Sequence, residues 1–196
     1  MNLFGRLFRL IWGGNVDRAL RPVLAVSLAG SIAGSTAYPY MGIWAIKHLG
    51  APQVPLAFAY LGGAVLAGVT GYVAGHWSDR IGRRPLILMG WGFQAIVPFA
   101  LLAVGDRLWP GLVLLMLLPA FGSLGGAADQ AMVADLVAPE RRVDAYASVR
   151  IASNFGVVLG PPIGGLLLIG GDWSHLWLGT LVLASIGFAI AYRYIP

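Results

Sequence analysis

The chain has 196 residues, 58% of them hydrophobic and 11% charged, with a mean hydropathy of +0.78, which leaves too little polar surface to coat a water-soluble globule. Its net charge of +5 is spread over the ends of apolar segments rather than gathered in a patch, which argues against nucleic acid and for the lipid bilayer as the partner. The absence of cysteine excludes disulfides, thiol chemistry and Cys-based metal sites, and leaves the redox compartment open.

Residues 1–19 form a cytoplasmic or interfacial segment: Leu3, Phe4, Leu7, Phe8, Ile11 and Trp12 fall near one helical face with Arg6 and Arg9 among them, and a disordered tail is the alternative. Residues 20–196 read as one six-helix transmembrane domain. Its apolar runs lie at about 22–46, 53–75, 86–104, 110–132, 144–170 and 174–194, each near the ~20 residues a spanning helix needs. They lack period-2 alternation and exceed the ~10-residue strands of a membrane barrel, so the fold class is all-α. A cleaved signal peptide over Val23 to Ala37 is the competing reading of the first run, but the apolar stretch continues through Tyr38 to Ile46 and makes a full span.

With the N-terminus inside, Arg6, Arg9, Arg18, Arg21, Arg80, Arg83, Arg84, Arg141, Arg142, Arg150 and Arg193 flank the cytoplasmic ends, against Lys47 and Arg107 outside. This bias predicts a multi-pass protein of the plasma (inner) membrane with both termini cytoplasmic.

Small residues recur four apart at Gly30/Gly34, Gly71/Gly75, Gly122/Gly126 and Gly156/Gly160/Gly164, the spacing that lets membrane helices approach closely. Pro39, Pro98, Pro119, Pro161 and Pro162 fall inside spans, where each removes a backbone hydrogen bond and can bend its helix. Between spans two and three, Gly75 to Pro85 (GHWSDRIGRRP) reads as a tight membrane-surface loop. Asp79 and Arg83 are four apart and can pair on a helical turn, and Asp135 is expected at the same side of the membrane.

These motifs resemble the major facilitator superfamily, specifically the N-terminal six-helix half of its drug:proton antiporter branch. Gly75-x-x-x-Asp79-Arg80-x-Gly82-Arg83-Arg84 is similar to the signature between helices two and three of that family. Gly156-x-x-x-Gly160-Pro161-x-x-Gly164-Gly165 looks like the antiporter motif of helix five, and Ala134-Asp135 with Glu140-Arg141-Arg142 is similar to the end of helix four in tetracycline-type exporters. The resemblance implies two inverted three-helix repeats, and a charge cluster of Asp79, Arg83 and Asp135 that latches the cytoplasmic helix ends during alternating access. The activity it implies is transport, most simply proton-coupled efflux of a small lipophilic solute. Nutrient symport and a non-transporting membrane scaffold are the alternatives.

One departure is plain: antiporters of this branch carry an arginine within helix four, where this chain has no cation between Gly111 and Ala128 and Met116 stands in about that place. The ionisable residue left inside a span is Asp129, a functional-site suspect by its depth, or else an interfacial carboxylate hydrogen-bonded to Asn154. Ser31, Ser35, Thr36, Tyr38, Tyr40, Trp44, Gln94, Ser123 and Asn154 are candidates for a substrate path, with Tyr40 and Trp44 also fitting an aromatic belt. His48, His76 and His175 fall at interfaces without ligand spacing, so no metal or other cofactor is expected. Ser123 on span four and His175 on span six prompt comparison with intramembrane serine proteases, but they lie at different depths and cannot meet as nucleophile and base, so no enzyme is expected.

Complete members of the family have two such halves with the substrate between them. A parallel homodimer, a separately encoded second half and a truncated product remain open, the last two ranked above the first. In the family, the loop motif of this half contacts helix eleven of the other.

Overall fold

The computed structural model describes residues 18–195; the segment expected to form an interfacial helix lies almost wholly outside them. Six long helices follow one another: α1 (Arg21–Lys47), α2 (Gln53–Ile81), α3 (Arg83–Val104), α4 (Leu108–Leu136), α5 (Arg142–Leu167) and α6 (Trp173–Tyr194). Short 3-10 turns at Arg18–Leu20 and Pro139–Arg141 precede α1 and α5. Local sequence accounts for the ends. Pro22 sits in the first turn of α1, where its missing N–H is an orphan anyway. The Asp172 side chain accepts from the Ser174 backbone N–H at 2.8 Å and caps α6. The fifth helix stops at Leu167 rather than at the expected residue 170, because the turn that follows reverses through Gly170 and Gly171 at φ 98° and 80°.

Four of the helices, α2, α3, α4 and α6, are both long and apolar enough to cross a membrane. The other two, α1 and α5, are long enough, but Ser27, Ser31, Ser35 and Thr36 on α1 and Arg150, Ser153 and Asn154 on α5 dilute their apolar character. These two helices pack along each other, which keeps part of that polar surface off the lipid.

The packing carries a symmetry that the residues hide. The α1 helix lies along α5 and α2 along α4, while α3 touches α4 and α6, and α6 also touches α1. Exchanging α1–α3 with α4–α6 maps these contacts onto one another: α1·α5 becomes α4·α2, α3·α4 becomes α6·α1, and α3·α6 maps onto itself. Short connections reverse the chain at each step, so α1 and α4 run oppositely and the repeat is inverted.

Close backbone approach holds the pairs together. A Cβ built on Gly156 would stand 2.7 Å from Ser31 Cβ and 2.8 Å from Leu28 O; one on Gly160 would collide with Ser35 Oγ, and one on Gly164 with Thr36 O. The same closeness brings the Ser35 hydroxyl, which also donates to Ser31 O of its own helix, to 3.1 Å from Gly156 O, and lets the Tyr40 hydroxyl donate to Pro161 O at 2.7 Å, a backbone carbonyl of α5. Gly165 meets the same Tyr40 hydroxyl, 3.0 Å from a built Cβ. On the other side Gly90 of α3 lies against Gly125 of α4, and Gly30 faces Trp91. The expected ridges at Gly71/Gly75 and Gly122/Gly126 do not pack in this way: a Cβ at Gly75, Gly122 or Gly126 would meet nothing within 4 Å.

Two apolar cores result, one around Leu24, Ile87, Trp91 and Val133 and the other around Met41, Trp44, Leu112 and Trp177. Trp44 is fully buried and meets Trp177 edge-on at 5.3 Å, so it belongs to the core rather than to an aromatic belt or a substrate path. Tyr40 likewise anchors α1 to α5. At this end of the bundle His48 Nε2 lies 3.0 Å from Asp106 Oδ1, joining the end of α1 to the turn between α3 and α4.

Candidate functional site

The segment expected to be a loop from Gly75 is helical as far as Ile81, and a single residue, Gly82, separates α2 from α3. Its φ of 92° is one that side chains other than glycine rarely adopt, so the whole reversal is concentrated there. The charges do not end the helix because Asp79 has its partner one turn on. Arg83 Nη1 donates to Asp79 Oδ1 at 2.6 Å and to Ser78 Oγ at 2.7 Å, while Arg83 Nε donates to Asp135 Oδ2 at 3.1 Å. One guanidinium therefore ties the last turns of α2 and α4 to the first residue of α3.

Each of these charges stands at the wrong end of its helix. Asp79 and Asp135 lie in C-terminal turns, where the helix dipole presents partial negative charge, and Arg83 opens α3, where the dipole presents partial positive charge. Together they compensate. The Arg83 side chain is 25% exposed, but Asp79 is 70% and Asp135 58%, so solvent screens the pairs and each contributes only about 0.2–1 kcal/mol. The cluster is specific in geometry and weak in energy.

The neighbouring basic residues do different things. Arg84 donates to Tyr192 O at 2.9 Å and lies over the Tyr192 ring, capping the C-terminal end of α6 instead of joining the aspartates. Arg80 is exposed and has no ion-pair partner among the described residues. The sequence reading did not single out Ser78, which is 2% exposed; its position beside Asp79 and five residues before Arg83 was the available signal.

A groove runs between α1 and α4, which scarcely touch, with α3 as its floor. Its wider part, about 420 Å³, is lined by Tyr38, Met41, Gln94, Phe121 and Trp177 among others. A second part, about 250 Å³, continues toward the Arg83 end between Trp91, Asp129, Gln130 and Ser153. Ser31, Gln94 and Gly122 line both parts, so they are contiguous. Gly122 and Gly126 have no packing neighbour because they face this space.

Asp129 Oδ1 is shielded from solvent and has no hydrogen-bond partner among the described residues. The bond expected from Asn154 is absent: Asn154 is exposed and lines a hollow with Tyr146 and Arg150 that adjoins the Asp129 part at Gln130, Val149 and Ser153. Met116 packs toward Gly62 and Gly63 of α2, not into the groove. Ser123 Oγ donates to Ala120 O at 2.8 Å, while His175 stands 4.0 Å from Asp172 at the start of α6, so the two do not come together.

The family model described as Major Facilitator Superfamily matches residues 23–196, nearly the whole of the described chain. The chain belongs to the major facilitator superfamily. It is therefore an all-α, multi-pass membrane protein related to transporters. Among the relatives of this facilitator, the MFS-type transporter phiD of a fungal species is 29% identical over 86% of the chain and 26% of the relative. The multidrug resistance protein MdtH of Proteus mirabilis is 29% identical over 76% of the chain and 38% of its own length. The class D tetracycline resistance protein of Salmonella ordonez is 35% identical over 47% of the chain and 23% of its own length. The facilitator chain thus spans between about a quarter and two fifths of the curated relatives it matches.

Proposed function

We propose that this facilitator domain is one wall of a transport path that exports a small lipophilic solute by alternating access, driven by the proton gradient. The second wall is another six-helix unit, whether continuous with this chain, a second copy or a separate partner. In this reading the Arg83 cluster lies on the cytoplasmic side of the plasma (inner) membrane, with both ends of the domain on that side, which the distribution of arginines supports.

The observation that carries the reading is Arg83 bridging Asp79 and Asp135 across three helix ends, each charge opposed to its own helix dipole. Plain positive-inside anchoring needs the arginines and accounts for neither aspartate. The groove adds the path, with aromatic and apolar walls and few polar groups, which suits a lipophilic solute. Asp129 is the protonatable group within it. Relatives named for multidrug and tetracycline resistance favour export over uptake.

Asp79→Asn removes one acceptor charge and keeps the shape. Gradient-driven flux in proteoliposomes is expected to fall by up to about fivefold, the factor that ~1 kcal/mol for one exposed pair corresponds to, with insertion unchanged. Unaltered flux in a fully inserted variant would refute the role given to the cluster.

A further inference from the structure

Another hollow, of about 410 Å³, opens at the end of the bundle opposite the Arg83 cluster, where α1 and α3 end and α6 begins. Trp44, His48, Asp172, Trp173, Ser174 and Trp177 line it, and no residue of α2, α4 or α5 does. Leu101 and Trp177 also face the wider part of the groove, so the two spaces share a wall. Their chemistry differs: the groove there is almost wholly apolar, whereas most of the surface lining this hollow is polar. Trp44 supplies the atom that asks for a ligand. The residue is 1% exposed, and its Nε1–H has no hydrogen-bond partner among the described residues. The Cη2 edge of its ring is turned to Gly111 of α4, 3.1 Å from a Cβ built there, which leaves the pyrrole edge on the side of the hollow. A buried N–H without an acceptor is costly, and an oxygen brought into the hollow relieves that cost.

The remaining groups complete a mixed set of donors and acceptors. Hydrogen bonds from Ser174, first its backbone N–H at 2.8 Å from Oδ1, hold the Asp172 carboxyl below the usual carboxylate range and leave Oδ2 as an acceptor. His48 Nε2 is engaged by Asp106 at 3.0 Å, so on a neutral ring Nδ1 is left to accept, and the Ser174 hydroxyl can give or take. An anion would meet Asp172 and Asp106. A cation gains little net attraction, because Lys47 and Arg107 stand at the same end and balance the two carboxylates. No group of three or more His, Asp or Glu side chains able to hold a metal occurs among the described residues. We infer that this hollow binds a neutral polyhydroxylated molecule of the size of a mono- or disaccharide. Its hydroxyls, each donor and acceptor at once, pair with Trp44, Asp172 and Ser174, and the Trp173 and Trp177 rings cover its C–H faces. The inference goes beyond the transport reading and does not rest on it.

The test titrates the whole chain in lipid nanodiscs, followed by saturation-transfer NMR, with myo-inositol, methyl glucoside and sucrose as neutral polyhydroxylated probes and choline as a cationic one. At least one of the three neutral probes is expected to bind, and to bind more tightly than choline. Trp44→Phe keeps a buried aromatic ring and removes the N–H, and should weaken that binding about fivefold, the factor that one hydrogen bond supplies. Gln94→Ala, in the groove, should leave it unchanged. Absence of binding by all three neutral probes, tighter binding of choline, or equal affinity in wild type and a monodisperse Trp44→Phe would each overturn the site. So would a loss in Gln94→Ala as large as that in Trp44→Phe, which would place the probe in the groove. If Trp44→Phe does not fold, Ser174→Ala at the exposed start of α6 decides: weakened binding of the neutral probe supports the site, and unchanged binding overturns it.

Discussion

Gly160→Val is expected to remove most of the correctly folded protein from the membrane. The position sits on α5 where α1 passes closest, and even a single added carbon collides with Ser35 Oγ and stands 2.7 Å from the Ser35 backbone carbonyl carbon. A flexible side chain could turn aside, but backbone cannot, so valine must push the two helices apart. Overpacking of this kind costs about 1–3 kcal/mol in ordinary cores. Separation here also breaks the Tyr40 bond to Pro161 O, which contributes about 1 kcal/mol, and the longer contact of the Ser35 hydroxyl with Gly156 O. Membrane helices have no hydrophobic drive toward each other to offset the loss. Gly68→Val is the matched control, since a Cβ there meets nothing within 4 Å. Size-exclusion profiles of fluorescently tagged protein check this: loss of the monodisperse peak for Gly160→Val with a normal peak for Gly68→Val is the expected pair.

Arg83→Ala should abolish gradient-driven flux while leaving the melting temperature within a few degrees of wild type. The split follows from the geometry. Among the described residues Arg83 is the only ion-pair partner that Asp79 and Asp135 share, and its removal takes away the ionic tie between the ends of α2 and α4 and the start of α3. Solvent reaches both aspartates, so neither is stranded as a buried charge, and the stability lost is about 0.4–2 kcal/mol for the two pairs together. An effect on flux far larger than that on stability is what a moving contact predicts. A structural staple would lower both together. Thermal unfolding and proteoliposome flux on one preparation separate the two.

The six helices were legible because lipid forces every backbone group to be satisfied within its own helix, leaving long apolar runs as the trace. Their partners were not. The ridge at Gly156, Gly160 and Gly164 is visible as spacing, but nothing in the spacing says that Ser31, Ser35 and Tyr40 of α1 fill it. The inverted repeat is invisible residue by residue because it is kept by which helices touch, and different small residues serve equally well in the two halves. The stretch from Gly75 to Ile81 looks like a loop because it is charged, yet a helix tolerates charges that find partners one turn away. Asp79, Arg83 and Asp135 were foreseeable from spacing and topology. Ser78 was not, since a serine beside two charged residues is equally at home in solvent. Asn154 was misjudged because closeness along two adjacent spans does not fix which faces meet, and its exposure leaves Asp129 Oδ1 without a partner among the described residues.

In the proposed function the groove between α1 and α4 is one wall of a path that a second six-helix unit completes. Extraction of the native membrane directly into nanodiscs, followed by native mass measurement of the particle that holds this chain, tests this most directly. Two six-helix units per particle are expected, as one longer polypeptide, as two copies, or as this chain with a partner. A particle whose sole protein is one copy of these six helices would contradict it.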